Sequence, residues 1–230
     1  SMIRVRPEDE GKFVCMVTEQ GVIKRTELSA YRNVRKMGLI AVSLDEGDRL
    51  AWVRLTGGED ELIVATRQGM AIRFSETDAR VMGRTARGVR ALNLEEDDIV
   101  VGMVPVMEGT TVLTVSENGQ GRRTEPAEYR LQSRGGKGIK NYDVQKNGPV
   151  AGVLAVEEAD DVILISDDGI IIRIPVAEIS TQSRYAGGVR VMRIGEESRL
   201  VSLCRAPHED EEETADSAEP AEAEAETPAE

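Results

Sequence analysis

Arginine and lysine residues recur beside glycines at a fixed spacing along this chain. Gly38, Gly88, Gly138 and Gly188 follow one another at intervals of 50 residues, which predicts one structural unit used several times. Each of these glycines closes a short basic stretch without an acidic residue: 35–38, 84–88, 134–138 and 184–188. Lys and Arg neutralise phosphates, and glycine lets a polyanion approach the backbone. The pattern therefore predicts contact with a long polyanion that runs from unit to unit.

Four longer windows around these glycines concentrate the positive charge. We call residues 31–43, 79–94, 129–142 and 179–194 the basic loops; together they contain 14 Arg or Lys residues and no Asp or Glu. Repeats that share a fold place equivalent loops on one rim, so we expect a continuous positive track. Simple pairing of these cations with neighbouring carboxylates is the less favoured interpretation, because the basic loops contain no carboxylates of their own.

We predict DNA contacts for cations in the basic loops and for two arginines that end second strands. These residues are Arg32, Arg35, Lys36, Arg73, Arg84, Arg87, Arg90, Arg123, Arg130, Arg134, Lys137, Lys140, Arg184 and Arg190. Only 3% of residues are aromatic, which leaves few stacking platforms for single strands and favours a duplex. No segment resembles a base-reading helix, so binding should depend on the phosphate backbone and on salt. A duplex touched by successive loops around a curved rim must bend.

The elements that position these loops are short strands. Each repeat begins with an apolar, β-branched run such as 62–65 or 162–165, typical of a central strand buried on both faces. This first strand is followed by a turn that ends in glycine, a second strand, the basic loop, a third strand and a fourth strand. This order predicts an all-β β-propeller or β-pinwheel of four-stranded blades that repeat every ~50 residues, with four blades visible. It leaves open whether the blades close into a ring, form an open arc or swap strands between chains.

The repeat boundaries divide the chain into six segments. We predict the last strand of a preceding blade at 1–10, four blades of one domain at 11–59, 60–109, 110–159 and 160–207, and an acidic disordered tail at 208–230. The tail holds 11 of the 42 acidic residues and no Lys or Arg. The formal net charge of −13 therefore describes the tail more than the repeats, and the tail is a candidate competitor of DNA for the rim.

Other classes of function have little support in the sequence. The sequence contains no run of about 18 apolar residues, so it predicts no membrane span. No segment resembles a signal peptide. His208 is the only histidine, which argues against His-based metal sites and His triads. Cys15 and Cys204 lie in apolar runs, so we expect two buried thiols rather than a disulfide, as in a cytoplasmic protein.

The repeat pattern and one loop resemble the C-terminal domain of the DNA gyrase A subunit, a β-pinwheel. The loop Gln132-Ser133-Arg134-Gly135-Gly136-Lys137-Gly138 is similar to that family's signature box, Gln-Arg-Arg-Gly-Gly-Lys-Gly, with Ser133 in place of an arginine. The family has its box in the first blade, whereas this match lies in the third visible repeat. We therefore interpret it as a box-like loop in a later blade, and the chain as a fragment that lacks the first blades.

The resemblance implies a function in DNA topology. It implies that the domain wraps duplex DNA so that an ATP-dependent type II topoisomerase introduces negative supercoils. It also implies a gyrase B subunit as partner in an A2B2 enzyme and a bacterial, nucleoid-associated location. The domain itself would be non-catalytic and without a cofactor, because ATP, Mg²⁺ and the DNA-breaking tyrosine belong to other parts of that enzyme.

Two alternatives stay open at this point. One is the C-terminal domain of the topoisomerase IV A-type subunit, which is related to the gyrase domain. The other, from a different class, is a protein-interaction propeller scaffold. A scaffold would need exposed apolar patches on its rim, whereas this sequence predicts a basic one.

Overall fold

A computed structural model describes residues 3–34 and 36–208. In this part of the chain the backbone forms four antiparallel sheets. The strands of the first two repeats are β1 (Phe13–Thr18), β2 (Val22–Glu27), β3 (Leu50–Thr56), β4 (Glu61–Thr66), β5 (Met70–Ser75), β6 (Val89–Arg90) and β7 (Val100–Pro105). The strands of the other two are β8 (Thr111–Ser116), β9 (Gln120–Thr124), β10 (Ile139–Lys140), β11 (Val150–Val156), β12 (Asp160–Ser166), β13 (Ile171–Pro175), β14 (Val189–Arg190) and β15 (Leu200–Pro207). The one α-helix described is α1 (Val144–Asn147).

The short third strand of a repeat lies in the sheet of the preceding repeat. The strand orders are β3-β1-β2-β6, β10-β5-β4-β7, β11-β8-β9-β14 and β13-β12-β15. Val89 and Arg90 of β6, for example, pair with Ile23 and Val22 of β2. We call β6, β10 and β14 the outer strands. The all-β propeller predicted from the sequence is confirmed, and the exchange of outer strands between neighbouring repeats of one chain is a feature that the sequence did not predict.

The hydrophobic core is divided among the junctions between sheets. The first cluster joins Cys15 and Val17 of β1 to Leu62, Phe74 and Met103 of the second repeat, and two similar clusters lie at the next two junctions. Central strands are therefore buried on both faces, as their unbroken apolar runs predict. Each blade depends on its neighbour for its core, as in other repeat arrays.

Glycine lets the fourth strands approach one another. A Cβ atom on Gly102 of β7 would lie 2.2 Å from Cγ2 of Val153, and one on Gly152 of β11 would lie 2.4 Å from Cδ2 of Leu203. Strands β3, β7, β11 and β15 contact each other in that order. They form the inner side of the array, and the outer strands form its periphery.

The glycine that recurs every 50 residues is required by the strand exchange. Gly88, Gly138 and Gly188 have φ angles of 113°, 77° and 84°, which L side chains rarely adopt. A Cβ atom at these positions would lie 2.4 to 2.6 Å from a carbonyl oxygen of the preceding sheet. The sequence analysis explained these glycines by the approach of a polyanion to the backbone. In the structure, close packing against the preceding sheet accounts for them.

Several sequence predictions differ from the structure or lie outside it. Residues 3–6 belong to no strand, and Pro7–Asp9 form a 3-10 helix, so the strand predicted within 1–10 is absent from the described residues. Cys15 is buried, but Cys204 is exposed, so the prediction of two buried thiols is wrong for Cys204. The predictions for Arg35 and for the tail beyond His208 lie outside the described residues. Among the described helices, none is long and apolar enough to cross a membrane.

Candidate nucleic-acid interface

The four basic loops are connected to one another by hydrogen bonds across the three junctions. The bonds run from Ser43 N to Ala86 O (3.3 Å), from Gly135 N to Ala91 O (2.6 Å) and from Tyr142 Oη to Gly187 O (3.1 Å). Equivalent loops of successive repeats therefore lie side by side. We call the surface made by the basic loops and the outer strands the basic rim.

The outer strands place one exposed cation at the same position of three repeats. In β6, β10 and β14 the first residue is half-buried and the second is exposed. The exposed residues are Arg90, Lys140 and Arg190. No carboxylate among the described residues forms an ion pair with Arg190. Alternation along a strand sends neighbouring side chains to opposite faces, so the apolar residue packs inward and the cation is directed outward.

Further predicted cations are exposed in the basic loops. Arg32, Lys36, Arg87, Arg130 and Lys137 are exposed. Two residues of the same loops that were not among the predicted contacts, Arg80 and Arg193, are exposed as well. The basic rim thus has accessible positive charge in every described repeat.

Carboxylates from the flanking turns reach some of these cations. Arg87 forms an ion pair with Asp45, and the Nζ atom of Lys137 lies 3.9 Å from Glu95 Oε1. Lys140 lies 3.5 Å from Asp143. The expectation that the basic cations lack local carboxylate partners is therefore wrong for these three, and also for Arg32, which forms an ion pair with Glu10. Because all three cations are well exposed, each pair stabilises the fold by at most about 1 kcal/mol, and phosphate oxygens can replace the carboxylates.

Arg134 and Arg184 connect each basic loop to the preceding one. Arg134 Nε donates to Asp78 O at 2.8 Å, and Arg134 Nη1 donates to Arg90 O at 3.0 Å. Arg184 repeats this arrangement with Glu128 O at 2.9 Å and with Lys140 O. Both residues are half-buried.

The first junction has a weaker version of this contact. Arg84 Nη1 donates to Ile40 O at 3.4 Å, and Arg84 is half-buried.

In the box-like loop 132–138, Arg134 makes the contact with the preceding basic loop. Lys137, whose side chain is 72% exposed, is the residue free to meet a ligand.

Arg73 and Arg123 do not belong to the basic rim. The Arg73 guanidinium pairs with Glu61 and donates to Pro126 O at 2.8 Å. Arg123 donates to Ile179 O at 2.5 Å and pairs with Glu158, and its side chain is only 6% exposed. These arginines attach one blade to the next, so their assignment as DNA contacts is corrected. Arg73 and Arg123 recur with the same 50-residue period as the arginines of the basic rim. Only their burial distinguishes them from the rim arginines.

Arg25 makes the equivalent attachment at the first junction. Its guanidinium lies 3.4 Å from Glu76 Oε2 and donates to Gly58 O at 3.0 Å. We call Arg25, Arg73 and Arg123 the interblade arginines. Each also forms a parallel bridge to the next repeat, at Val81, Leu131 and Thr181.

Two buried cations beneath the basic rim were not predicted from the sequence. Arg122, fully buried, donates to Ser183 O at 2.9 Å and to Arg184 O at 2.6 Å. Lys24, 1% exposed, donates to Ala41 O and Arg84 O. Each holds carbonyl oxygens of two neighbouring basic loops, since Arg122 also donates to Asn141 O.

Burial changes the titration of both buried cations. Desolvation lowers the pKa of Lys24 to about 8, and the nearby Arg84 guanidinium acts in the same direction. Burial also lowers the pKa of Arg122. One sequence signal could have indicated these two buried cations. Each lies inside a second strand, directly before an interblade arginine, at a position where the other two repeats have Ile72 and Ile172.

Together, the exchanged strands and the cationic rim define a β-propeller repeat domain suited to a polyanion. The chain belongs to the family described as "DNA gyrase C-terminal domain, beta-propeller", whose model matches residues 12–56, 60–107, 110–157 and 160–203. The matched segments cover most of the four repeats.

Individual relatives are similar over part of the chain. The DNA gyrase A subunit of Halalkalibacterium halodurans is 50% identical over 93 residues, which are 40% of this chain and 11% of that protein. The DNA gyrase A subunit of Haloquadratum walsbyi is 44% identical over 111 residues, or 47% of this chain and 13% of that protein. The chain therefore matches about an eighth of the length of these relatives.

Two solved structures share the fold. The C-terminal domain of DNA topoisomerase IV superposes with a TM-score of 0.83 at 25% identity, over 92% of this chain and 67% of that one. A DNA gyrase A C-terminal domain superposes with a TM-score of 0.77 at 28% identity, over 86% of this chain and 66% of that one.

Proposed function

We propose that this chain binds duplex DNA along the basic rim and bends it around the outer strands. The observation that carries the proposal is the continuity of the rim: the basic loops are joined by hydrogen bonds, and Arg90, Lys140 and Arg190 occupy one position in successive repeats. A stiff polyanion that touches all three must follow their curvature. The contacts are to phosphates, so they carry no direct sequence information.

The family supports a more specific role. We propose that the domain is part of a DNA gyrase A subunit and wraps DNA so that the ATP-dependent type II topoisomerase introduces negative supercoils. In this proposal the partner is a gyrase B subunit in an A2B2 enzyme at the bacterial nucleoid. ATP, Mg²⁺ and the DNA-cleaving residue act in other parts of the enzyme, and this domain is non-catalytic.

A second candidate is the equivalent domain of topoisomerase IV. The observation in its favour is the superposition on a topoisomerase IV C-terminal domain with a TM-score of 0.83. We propose the same basic rim as the DNA-binding surface for both candidates and distinguish the two by whether the bound DNA is wrapped. A pure protein-interaction scaffold fits less well, because the outer strands present cations where a scaffold needs apolar surface.

Duplex binding is tested by a mobility-shift titration across a salt series. The parent chain should bind with an affinity that falls steeply as salt rises, because bound phosphates release counterions. The triple variant R90A/K140A/R190A should lower the log–log salt slope by about three phosphate contacts. The matched control R49A/K146A/R199A removes three exposed cations outside the basic loops and should keep the parent slope. Equal slopes for both triple variants would remove the outer strands from the interface.

Wrapping is tested by DNA topology. A nicked plasmid is sealed by ligase in the presence of the chain, and the change in linking number is measured. A gyrase-type domain should shift the linking number in proportion to the bound chain, and the R90A/K140A/R190A variant should shift it less. Binding without any shift would favour the topoisomerase IV candidate, and the absence of both binding and shift would contradict the DNA-binding proposal itself.

A further inference from the structure

Tyr185 is the one exposed aromatic residue in the described part of the chain. It is 75% exposed and belongs to none of the hydrophobic clusters of the core. The other six aromatic residues of the sequence are buried or half-buried: Phe13, Tyr31, Trp52, Phe74, Tyr129 and Tyr142. The fold therefore uses every aromatic ring except that of Tyr185, which remains available to a ligand.

The position of Tyr185 in its basic loop is open to solvent in an internal repeat as well. By the 50-residue period, Tyr185 is equivalent to Gly135 and Thr85. Thr85 is exposed, although the next basic loop packs beside its own through the bond from Gly135 N to Ala91 O. A following repeat therefore leaves this position accessible. Among the repeats, only the fourth has an aromatic ring there.

The Tyr185 ring contacts a guanidinium that is itself fixed. Cζ of Arg184 lies 4.8 Å from the centroid of the Tyr185 ring and 6.0 Å from that of the buried Tyr129 ring. Arg184 Nη2 donates to Tyr185 Oη at 3.1 Å, and Arg184 Nε donates to Glu128 O at 2.9 Å. The buried Arg122 holds the backbone by donating to Arg184 O at 2.6 Å. Because the ring is already held, a ligand that stacks on it has less conformational entropy to remove.

Cations that we assign to phosphate binding lie near the ring. Arg184 Nη1 donates to the carbonyl oxygen of Lys140, whose side chain is exposed at the end of β10. Arg190 is exposed in β14 and follows Tyr185 in the same basic loop. A DNA backbone held by Lys140 and Arg190 passes beside the ring. Cations along the backbone together with an aromatic ring are the combination that proteins use to bind unpaired bases.

We propose that Tyr185 stacks on an unpaired base at a gap in duplex DNA bound to the basic rim. The inference rests on the proposed duplex binding and adds a preference for gapped DNA. Bases inside an intact duplex stack on each other, and separating them costs energy, so regular DNA does not use the ring. At a gap, an unpaired base offers a free face. Stacking accepts any base, so the preference is for the gap and not for a sequence.

The test compares two duplexes that each have a two-nucleotide gap at the centre. Opposite the gap, one duplex has two adenines and the other has two abasic sites, so both bend easily but only the first offers bases. The parent chain should bind the adenine duplex at least about fivefold more tightly, the effect of one stacked base. Tyr185→Ala should bind both duplexes equally, whereas Tyr185→Phe retains the ring and should keep the preference. Met37→Ala removes another exposed side chain of a basic loop and is the matched control, which should behave as the parent.

Binding of intact duplex separates this inference from the proposed function. Tyr185→Ala should keep the parent affinity and salt slope for intact duplex, because the phosphate contacts are unchanged. A parent chain that binds intact duplex but binds both gapped duplexes equally would overturn the stacking and leave the proposed function in place. A Tyr185→Ala variant that keeps the preference would do the same. A parent chain without salt-dependent duplex binding would remove both.

Photochemical cross-linking identifies the contact directly. With 5-iodouracil in place of one adenine opposite the gap, long-wavelength ultraviolet light should join the base to Tyr185, and mass spectrometry of the digested complex locates the bond. A cross-link at Tyr185 supports the stacking. Cross-links confined to other residues would place the unpaired base elsewhere on the rim and contradict it.

Discussion

Lys137 and Arg134 lie three residues apart in one basic loop, and their surroundings separate their roles. Lys137 is 72% exposed and meets only Glu95 at 3.9 Å. Arg134 uses two guanidinium nitrogens to hold carbonyl oxygens of Asp78 and Arg90. The lysine is available to a phosphate, and the arginine fixes the loop that carries the lysine.

This difference predicts two distinct variants. Lys137→Ala should lower the salt slope of duplex binding by about one phosphate contact and leave the free energy of unfolding within about 0.5 kcal/mol of the parent. Arg134→Ala should lower the free energy of unfolding by about 1 to 2 kcal/mol, because interloop hydrogen bonds are lost. Mobility shifts and urea unfolding measure the two effects. A destabilised Lys137 variant, or an Arg134 variant with parent stability, would reverse the assignment.

Lys24 predicts a pH dependence of stability. The pKa of Lys24 is lowered to about 8 by burial, whereas an unfolded lysine titrates near 10.4. At pH values between these two pKa values, the unfolded chain binds more protons than the folded chain does. The contribution of Lys24 to the free energy of unfolding therefore rises with pH. The advantage of the parent over Lys24→Met should therefore increase by up to about 3 kcal/mol between pH 7.5 and 10.5. Denaturant unfolding at a series of pH values measures it, and a constant difference would contradict the shifted pKa.

At the scale of the element, the outer strands depend on glycine. Gly187 and Gly188 are adjacent, but only Gly188 combines a positive φ of 84° with an approach of 2.4 Å to Gly121 O. Gly188→Ala should destabilise the chain by about 3 kcal/mol and release β14. Gly187→Ala, whose Cβ would meet nothing closer than 3.8 Å, is the control and should change little. Thermal unfolding and amide exchange at Arg190 measure both variants, and equal effects would contradict the packing argument.

The same elements show what a sequence can and cannot predict. Apolar runs, glycine turns and the 50-residue period were sufficient for the strands and the propeller, because those signals are local. The exchange of β6, β10 and β14 was not predictable, because two-residue strands have no period of their own and their partners are far away in the sequence, 68 residues for Val22 and Arg90. Arg73 and Arg90 carry the same charge, so only the burial produced by the neighbouring blade distinguishes an interblade arginine from a rim cation.

At the scale of the whole molecule, the two buried cations, Lys24 and Arg122, connect the basic rim to the core. Arg122 touches the basic loops of the third and fourth repeats at once, through Asn141 and Ser183. Lys24 does the same for the first and second through Ala41 and Arg84. The spacing of the rim cations is therefore set by blade packing and not by flexible side chains alone. A ligand that spans several blades must adapt to the rim.

For duplex DNA this adaptation costs bending energy, which is of order 1 to 6 kcal/mol for a site of 20 to 30 base pairs. A duplex of about 40 base pairs with a two-nucleotide gap at its centre bends at lower cost, so it should bind the parent chain at least about fivefold more tightly than the intact duplex. The R90A/K140A/R190A variant touches fewer blades and should lose most of this preference. Competition binding at one fixed salt concentration measures it. Equal affinities for gapped and intact DNA would mean that the duplex stays straight and meets one or two basic loops only, which would leave binding in place and remove wrapping.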